Sequence, residues 1–254
     1  MKGLSLKWLK EYNLLIYEEV DSTNSEALRL AKAGVDGNFV IWAQSQTHGR
    51  GRNGRAWLSA KENLFTSILL SPDCKVESLP QLSFVTSLAV HDALSLICKQ
   101  HKVSASLSLK WPNDILINEA KVAGILLESI NVKTFKRNYL VIGIGININN
   151  KPELEGRTIT CLKDILGADI EPGYVFDKVL AYFDLYYKKW QNDGFIDIRK
   201  TWLKKAHHLN NVVTIDSGHN RVSGIFKDID FSGAIRIKLA CGRIYSLHAG
   251  EVFF

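Results

Sequence analysis

Phe39-Val40-Ile41-Trp42-Ala43, then Gly49-Arg50-Gly51-Arg52-Asn53-Gly54-Arg55-Ala56-Trp57, then Leu64-Phe65-Thr66-Ser67-Ile68-Leu69-Leu70 follow one another in the chain. The outer two are short apolar runs rich in β-branched and aromatic residues, which reads as two buried strands. The loop between them therefore belongs to a sheet-based domain. Its glycines let the backbone take left-handed dihedrals and approach a ligand closely, and its arginines offer planar forks suited to phosphate or carboxylate. Trp57 adds a flat apolar face on which a ring such as a nucleobase can stack. Glycine- and arginine-rich stretches also occur as solvated loops or as unspecific nucleic-acid binders. Those recur and extend, whereas this is a single short copy between strands, which favours a site.

With 254 residues, 46% of them hydrophobic, the chain is long enough for one substantial core and a small satellite domain. Lys and Arg number 32 against 26 Asp and Glu, a net charge of +6 that suits an acidic partner, nucleotide or nucleic acid without choosing among them. No apolar run reaches the roughly 20 residues that span a bilayer. Lys2, Lys7, Lys10 and Glu11 interrupt the first residues, so no signal-peptide core is seen and a cytoplasmic location away from membranes is expected. Cys74, Cys98, Cys161 and Cys241 show no C-x-x-C spacing and are expected as buried, reduced thiols. His207 and His208 are adjacent and make a poor metal chelate, so they are given no chemistry.

Residues 1–12 read as a short amphipathic helix or a tail before a first strand at Leu14-Leu15-Ile16-Tyr17. That leaves too little upstream for a helix-turn-helix of about 50 residues, and no sequence-specific DNA binding is expected. Asp21-Ser22-Thr23-Asn24 precedes a helix over Glu26–Ala33 that Gly34 ends. These polar residues serve either to cap that helix or to offer hydroxyls and an amide to a ligand at its N-terminus. Ser78-Leu79-Pro80-Gln81 matches a capping box and starts a scaffold helix carrying His91 and Asp92 as structural or solvated groups.

Lys110-Trp111-Pro112-Asn113-Asp114, the strand Ile115-Leu116-Ile117, a turn at Asn118-Glu119-Ala120 and a returning strand from Lys121 to Glu128 predict a hairpin. Pro112 holds Trp111 extended, and Gly124 leaves room beside Lys121, which is either an ordinary edge lysine or a ligand-facing one. The apolar strand Leu140–Asn149 carries Gly143 and Gly145, which weaken a buried strand unless something must come close. Helical patterns occupy 173–192 and 195–207. Short strands around 212–215, 221–226, 234–237 and 244–247, with glycine turns, predict a small β-barrel.

Asp-Ser-Thr-Asn at 21–24, Gln-Thr-His-Gly-Arg-Gly-Arg-Asn-Gly-Arg-Ala-Trp at 46–57, Lys-Trp-Pro-Asn-Asp at 110–114, Lys-Val-Ala-Gly-Ile-Leu at 121–126 and Gly-Ile-Gly-Ile-Asn at 143–147 together resemble the biotin protein ligases, in the form lacking an N-terminal DNA-binding domain. Five strings in this order over nearly the whole chain make the resemblance specific. It implies an α+β fold, a mixed sheet flanked by helices and related to class II aminoacyl-tRNA synthetases, over residues 1–208, and an SH3-like C-terminal β-barrel over 209–254. It implies ATP-dependent activation of biotin as biotinyl-5′-AMP and transfer to a lysine of a biotin carboxyl carrier protein, with ATP, biotin and Mg²⁺ as substrates or activator and no tightly bound prosthetic group.

By the same resemblance, Ser22, Thr23, Asn24, Gln46, Arg50, Gly51, Arg52, Lys121 and Gly124 bind biotin. Arg52, Arg55, Trp57, Asn113, Asp114, Lys121 and Asn147 line the ATP side, with Asp114 near Mg²⁺ and Lys121 and Arg52 as the catalytic cations. The chemistry agrees with these residue types: two anions approach each other only when neutralised, so no serine or cysteine nucleophile is required. The glycine-rich loop is expected to order over the activated intermediate and keep water out. Members differ in self-association, and monomer and homodimer both stay open.

Overall fold

The computed structural model describes residues 11–59, 61–135, 137–218 and 220–253, so the helix or tail expected before Glu11 lies outside the described residues. Strand β1 (Tyr12–Val20) runs parallel to β2 (Asn38–Gln46), the two being joined across helix α1 (Thr23–Lys32). Strand β3 (Leu64–Leu70) returns antiparallel to β2, as a two-strand reading of the decisive stretch requires. Strands β4 (Leu107–Lys110), β5 (Asp114–Ile117), β6 (Ala120–Val132) and β7 (Arg137–Ile146) complete a seven-stranded sheet in the order β1-β2-β3-β7-β6-β5-β4. One parallel pair among antiparallel ones makes it a mixed sheet.

Every residue of β3 is buried because both faces of the sheet are covered. Ile41 and Leu69 pack with Ala27 and Ala31 under α1. Val40 and Ile68, their alternating neighbours, face the core built by helices α2 (Gln81–Gln100), α4 (Pro172–Asp193) and α5 (Phe195–Lys205), with the short α3 (Leu162–Leu166) leading into α4. Side chains this well buried contribute roughly 1.5–3 kcal/mol each, so the sheet centre is the rigid part of the molecule. The β5–β6 hairpin turns on Asn118 (φ 48°) and Glu119 (φ 66°), the pair of positive dihedrals that a two-residue turn needs.

One local expectation fails on helix α2. Its N-cap is Pro80 and no capping box forms. The Gln81 amide instead accepts from Trp190 Nε1 at 2.7 Å and donates to the Phe231 carbonyl at 2.8 Å, tying three layers together. Residues Val76–Gln100 are, by length and composition, apolar enough to cross a membrane, but 78% of that window is buried inside the protein, as in a core helix. His91 and Asp92 sit on its inner side, where Lys205 and the Tyr186 hydroxyl also converge on Asp92. All four cysteines are free; Cys98 and Cys161 are buried as expected, whereas Cys74 is half-buried and Cys241 exposed.

Strands β8 (Val212–Asp216), β9 (Arg221–Ile229), β10 (Ile235–Lys238), β11 (Ile244–Leu247) and β12 (Glu251–Phe253) form a second sheet in the order β11-β10-β9-β8-β12. The expected SH3-like barrel is therefore not closed: among the described residues, β11 pairs only with β10, β12 only with β8, and no ladder joins β11 to β12. Strand β12 is three residues long, and the segment beside it is turned toward the glycine–arginine loop: Gly250 offers its carbonyl to Arg52, and Glu251 its carboxylate to Arg55. The five-stranded sheet joins the main core through Val213, Ile215, Phe226 and Ile235, and Trp111 Nε1 donates to Gly233 O at 2.9 Å.

Candidate active site

A cavity of about 550 Å³ opens between the N-terminus of α1, the loop 49–57, the β5–β6 hairpin, the end of β7 and the segment Gly250–Phe253. This lies within the roughly 300–1,000 Å³ range of small-molecule sites. Every residue assigned to biotin or ATP from the sequence lines it, from Ser22 to Asn147.

Its floor is neutral and tightly bonded. Ser22 is the N-cap residue in extended backbone but makes no side-chain cap bond. The first-turn amide of Thr23 and its hydroxyl are instead met by Gln46 Oε1 from β2, at 2.8 and 3.2 Å. Ser67, fully buried in β3, donates to Asn24 Oδ1 at 2.6 Å and lies 2.7 Å from Thr23 Oγ1. Asn24 enters this space only because residue 143 is glycine: a Cβ there would lie 2.2 Å from Asn24 Oδ1. A hydrogen-bonded amide and two hydroxyls thus present polar atoms at fixed positions in an otherwise apolar wall.

The roof is charged. The loop folds as a small finger in which Trp57 N donates to Gly49 O at 2.9 Å and Gly51 N to Arg55 O at 2.7 Å. A 3-10 turn over Arg52–Gly54 carries Asn53 at φ 55°. Trp57 folds back beneath the finger, and its ring lies on Gly145 and Gly124, where added Cβ atoms would come within 2.5 and 2.9 Å. The strand glycines therefore make room for this indole, whose Nε1 is buried without a hydrogen-bond partner among the described residues. Lys121 Nζ stands 5.4 Å from the ring centroid, a cation–π distance, and 2.6 Å from Asp114 Oδ1. That carboxylate oxygen is buried and close in charge to the lysine, yet not aligned as a hydrogen bond.

Arg52 donates to Asn113 Oδ1 at 3.2 Å and to Gly250 O at 3.4 Å. Burial pushes its pKa down, with the charges of Asp114 and Glu251 acting against that. Arg55 bonds Glu251 at 2.6 Å, and this bond holds the carboxyl below its usual range. Asn113 Nδ2 and Asn147 Nδ2 spend their protons on the carbonyls of Ile125 and Thr160. Lys110, its pKa lowered by burial, and Arg157 line the same cavity. Six cations face it against Asp114, Glu119 and Glu251, so the wall suits an anion. Among the described residues, no cluster of three or more His, Cys, Asp or Glu could hold a metal by itself.

Sequence reasoning passed over Ser67, Glu128, Lys110, Arg157, His207 and the Gly250–Glu251 pair. Ser67 left a signal, a hydroxyl in the middle of an apolar strand, and Lys110 stood inside a quoted motif. Glu251 left none, because its partner Arg55 lies 196 positions away.

The model of the Biotin/lipoate A/B protein ligase family matches residues 17–147, and that of the Biotin protein ligase C terminal domain matches 208–254. The biotin–[acetyl-CoA-carboxylase] ligase of Paracoccus denitrificans is 37% identical over 239 residues, 92% of this chain and 97% of the relative. The biotin protein ligase of Aquifex aeolicus, solved with biotin and ATP, superposes with a TM-score of 0.79 at 32% identity over 95% of this chain and 97% of that one. The Leishmania major enzyme, solved with biotinyl-5-AMP, gives 0.63 at 25% identity, covering 93% and 99%. Matched across both sheets and by near full-length relatives, the chain belongs to the biotin protein ligase family and is an enzyme of that family.

Proposed function

We propose that this protein activates biotin with ATP as biotinyl-5′-AMP and transfers the biotinyl group to a lysine of a biotin carboxyl carrier protein. The observation that carries this is the meeting of a neutral, prebuilt floor and a cationic roof in one cavity. In this reading Ser22, Thr23, Asn24 and Gln46 meet the ureido ring, while Arg50, Gly51 and Gly124 close around the bicycle and its chain. Trp57, Arg55, Asn113, Asp114 and Asn147 receive the nucleotide. A catalytic unit to residue 208 and a C-terminal unit from 209 are supported by the break between the two sheets.

The biotin carboxylate attacks the α-phosphorus, the bond to the β-phosphate breaks, and pyrophosphate leaves. Lys121, with Arg52 above it, neutralises the two approaching anions and the charge that spreads over the phosphoryl oxygens. Mg²⁺ commonly sits on one or two carboxylates plus substrate phosphates, and the buried Asp114 Oδ1 is a suitable protein ligand for it. When bound, the ion supplies further charge neutralisation. In the second step the carrier lysine amine attacks the acyl carbon, the amide forms and AMP departs, the amine proton passing to solvent. A cytoplasmic location fits this reading, where ATP is abundant and the cysteines stay free.

The test is pyrophosphate exchange into ATP with biotin, lipoate or neither. Exchange that needs biotin is expected; exchange that needs lipoate instead would replace the substrate, and none with either acid would end the reading.

A further inference from the structure

Glu128 lies on β6 beyond the lysine strand motif, and its carboxylate joins two parts of the site that are far apart in sequence. One oxygen, Oε2, accepts from Asn24 Nδ2 at 2.7 Å and from Arg50 Nη2 at 2.9 Å. Asn24 belongs to the floor and Arg50 to the roof. The floor amide is held on its other side by Ser67, so its NH₂ group is aimed at Glu128 and nowhere else among the described residues. The Glu128 side chain is 27% exposed and that of Arg50 42%, so the pair sits at the rim of the cavity, where a charge-assisted bond is stronger than at an open surface.

We propose that Glu128 is a positioning residue that couples the biotin-facing amide of Asn24 to the loop arginine Arg50. This rests on the reading of the floor as the biotin site. An asparagine amide can present either its oxygen or its nitrogen to a ligand, and an acceptor-only carboxylate beside it removes that freedom. The same carboxylate draws the arginine finger over the floor before any ligand arrives, which lowers the ordering cost of binding. Removal of the negative charge leaves Asn24 and Arg50 sharing a weaker, uncharged acceptor, so both ends of the biotin site loosen together. The nucleotide wall, which is tied down by Glu251 and Asn113, does not depend on it.

The experiment compares wild type, Glu128→Gln, Glu128→Asp, Arg50→Ala and the Arg50→Ala/Glu128→Gln double variant in biotin-dependent pyrophosphate exchange and in melting temperature. Glu128→Gln is expected to raise the KM for biotin about tenfold, the loss of one charge-assisted contact. The KM for ATP, kcat at saturating biotin and the melting temperature stay near wild type, and Glu128→Asp recovers part of the loss. In the Arg50→Ala background the Gln substitution adds much less than in wild type, since its main partner has gone. An unchanged biotin KM in Glu128→Gln, or equal effects on biotin, ATP and melting temperature, overturns the proposal. Wild type lacking biotin-dependent exchange is a different failure, that of the site assignment, and the proposal falls with it.

Discussion

The floor and the roof of the cavity are built on opposite terms. The floor is Thr23, Asn24, Gln46 and Ser67, neutral groups whose hydrogen bonds are mutual and, for Ser67, fully buried. The roof is Arg50, Arg52 and Arg55 on a glycine-rich finger, held by Glu128, Asn113, Gly250 and Glu251 from three other segments. Buried mutual bonds fix shape and are insensitive to salt, whereas exposed ion pairs are weak, screened and easily exchanged for an anionic ligand. Under the proposed function, the floor sets which ring fits and the roof responds to charge that arrives.

The comparison breaks most sharply at Lys121, which stands between the two. Lys121→Ala should fold and form adenylate about 10² to 10³ times more slowly, the usual cost of one charge-stabilising donor. Near-normal single-turnover adenylate formation would return Lys121 to an edge lysine. The floor alone is tested by Gly143→Ala, whose methyl group would meet Asn24 Oδ1 at 2.2 Å. Displacing a buried amide should raise the biotin KM on the order of tenfold or more and leave the ATP KM within about twofold; a variant in which both change alike argues that floor and roof are one unit.

The roof is tested by Arg52→Gly, which removes the contacts to Asn113 and Gly250. Adenylate should still form but escape, labelling a bystander protein such as an albumin about fivefold more than wild type does, a loss of roughly 1 kcal/mol of retention. If adenylate forms and the bystander stays unlabelled, another group retains the intermediate. The smallest effect is that of Glu251→Gln, about twofold in ATP KM at low salt and absent at high salt. Because Arg55 holds the Glu251 carboxyl below its usual range, this latch is complete above the unfolded pKa near 4.5 and is lost as pH falls through the lower folded value. A pH titration of ATP binding in wild type and Glu251→Gln should therefore converge in acid.

The main sheet was legible because its signals are local. Short β-branched runs gave β2, β3 and β7, and the glycines at 143 and 145 announced a close approach that proves to be made by Asn24 and Trp57. The capping box misled because Ser78-Leu79-Pro80-Gln81 carries the right residues, while Gln81 finds better partners in Trp190 and Phe231, far along the chain. The C-terminal strands were legible one by one, but closure was not. Strand β12 ends the sheet on the far side from β11, and Gly250 and Glu251 at its start meet arginines from another part of the molecule, contacts no local pattern announces.

The bond from Arg52 to the Gly250 carbonyl spans 198 positions in sequence. On the ribosome, Arg52 emerges and its strands can pair long before residue 250 has been synthesised. Until β12 docks on β8, Arg52 lacks that carbonyl and Arg55 lacks the Glu251 carboxylate. Loss of β12 alone would therefore free two arginines of the roof while the bonds among Thr23, Asn24, Gln46 and Ser67 stay in place, so one half of the cavity outlives the other.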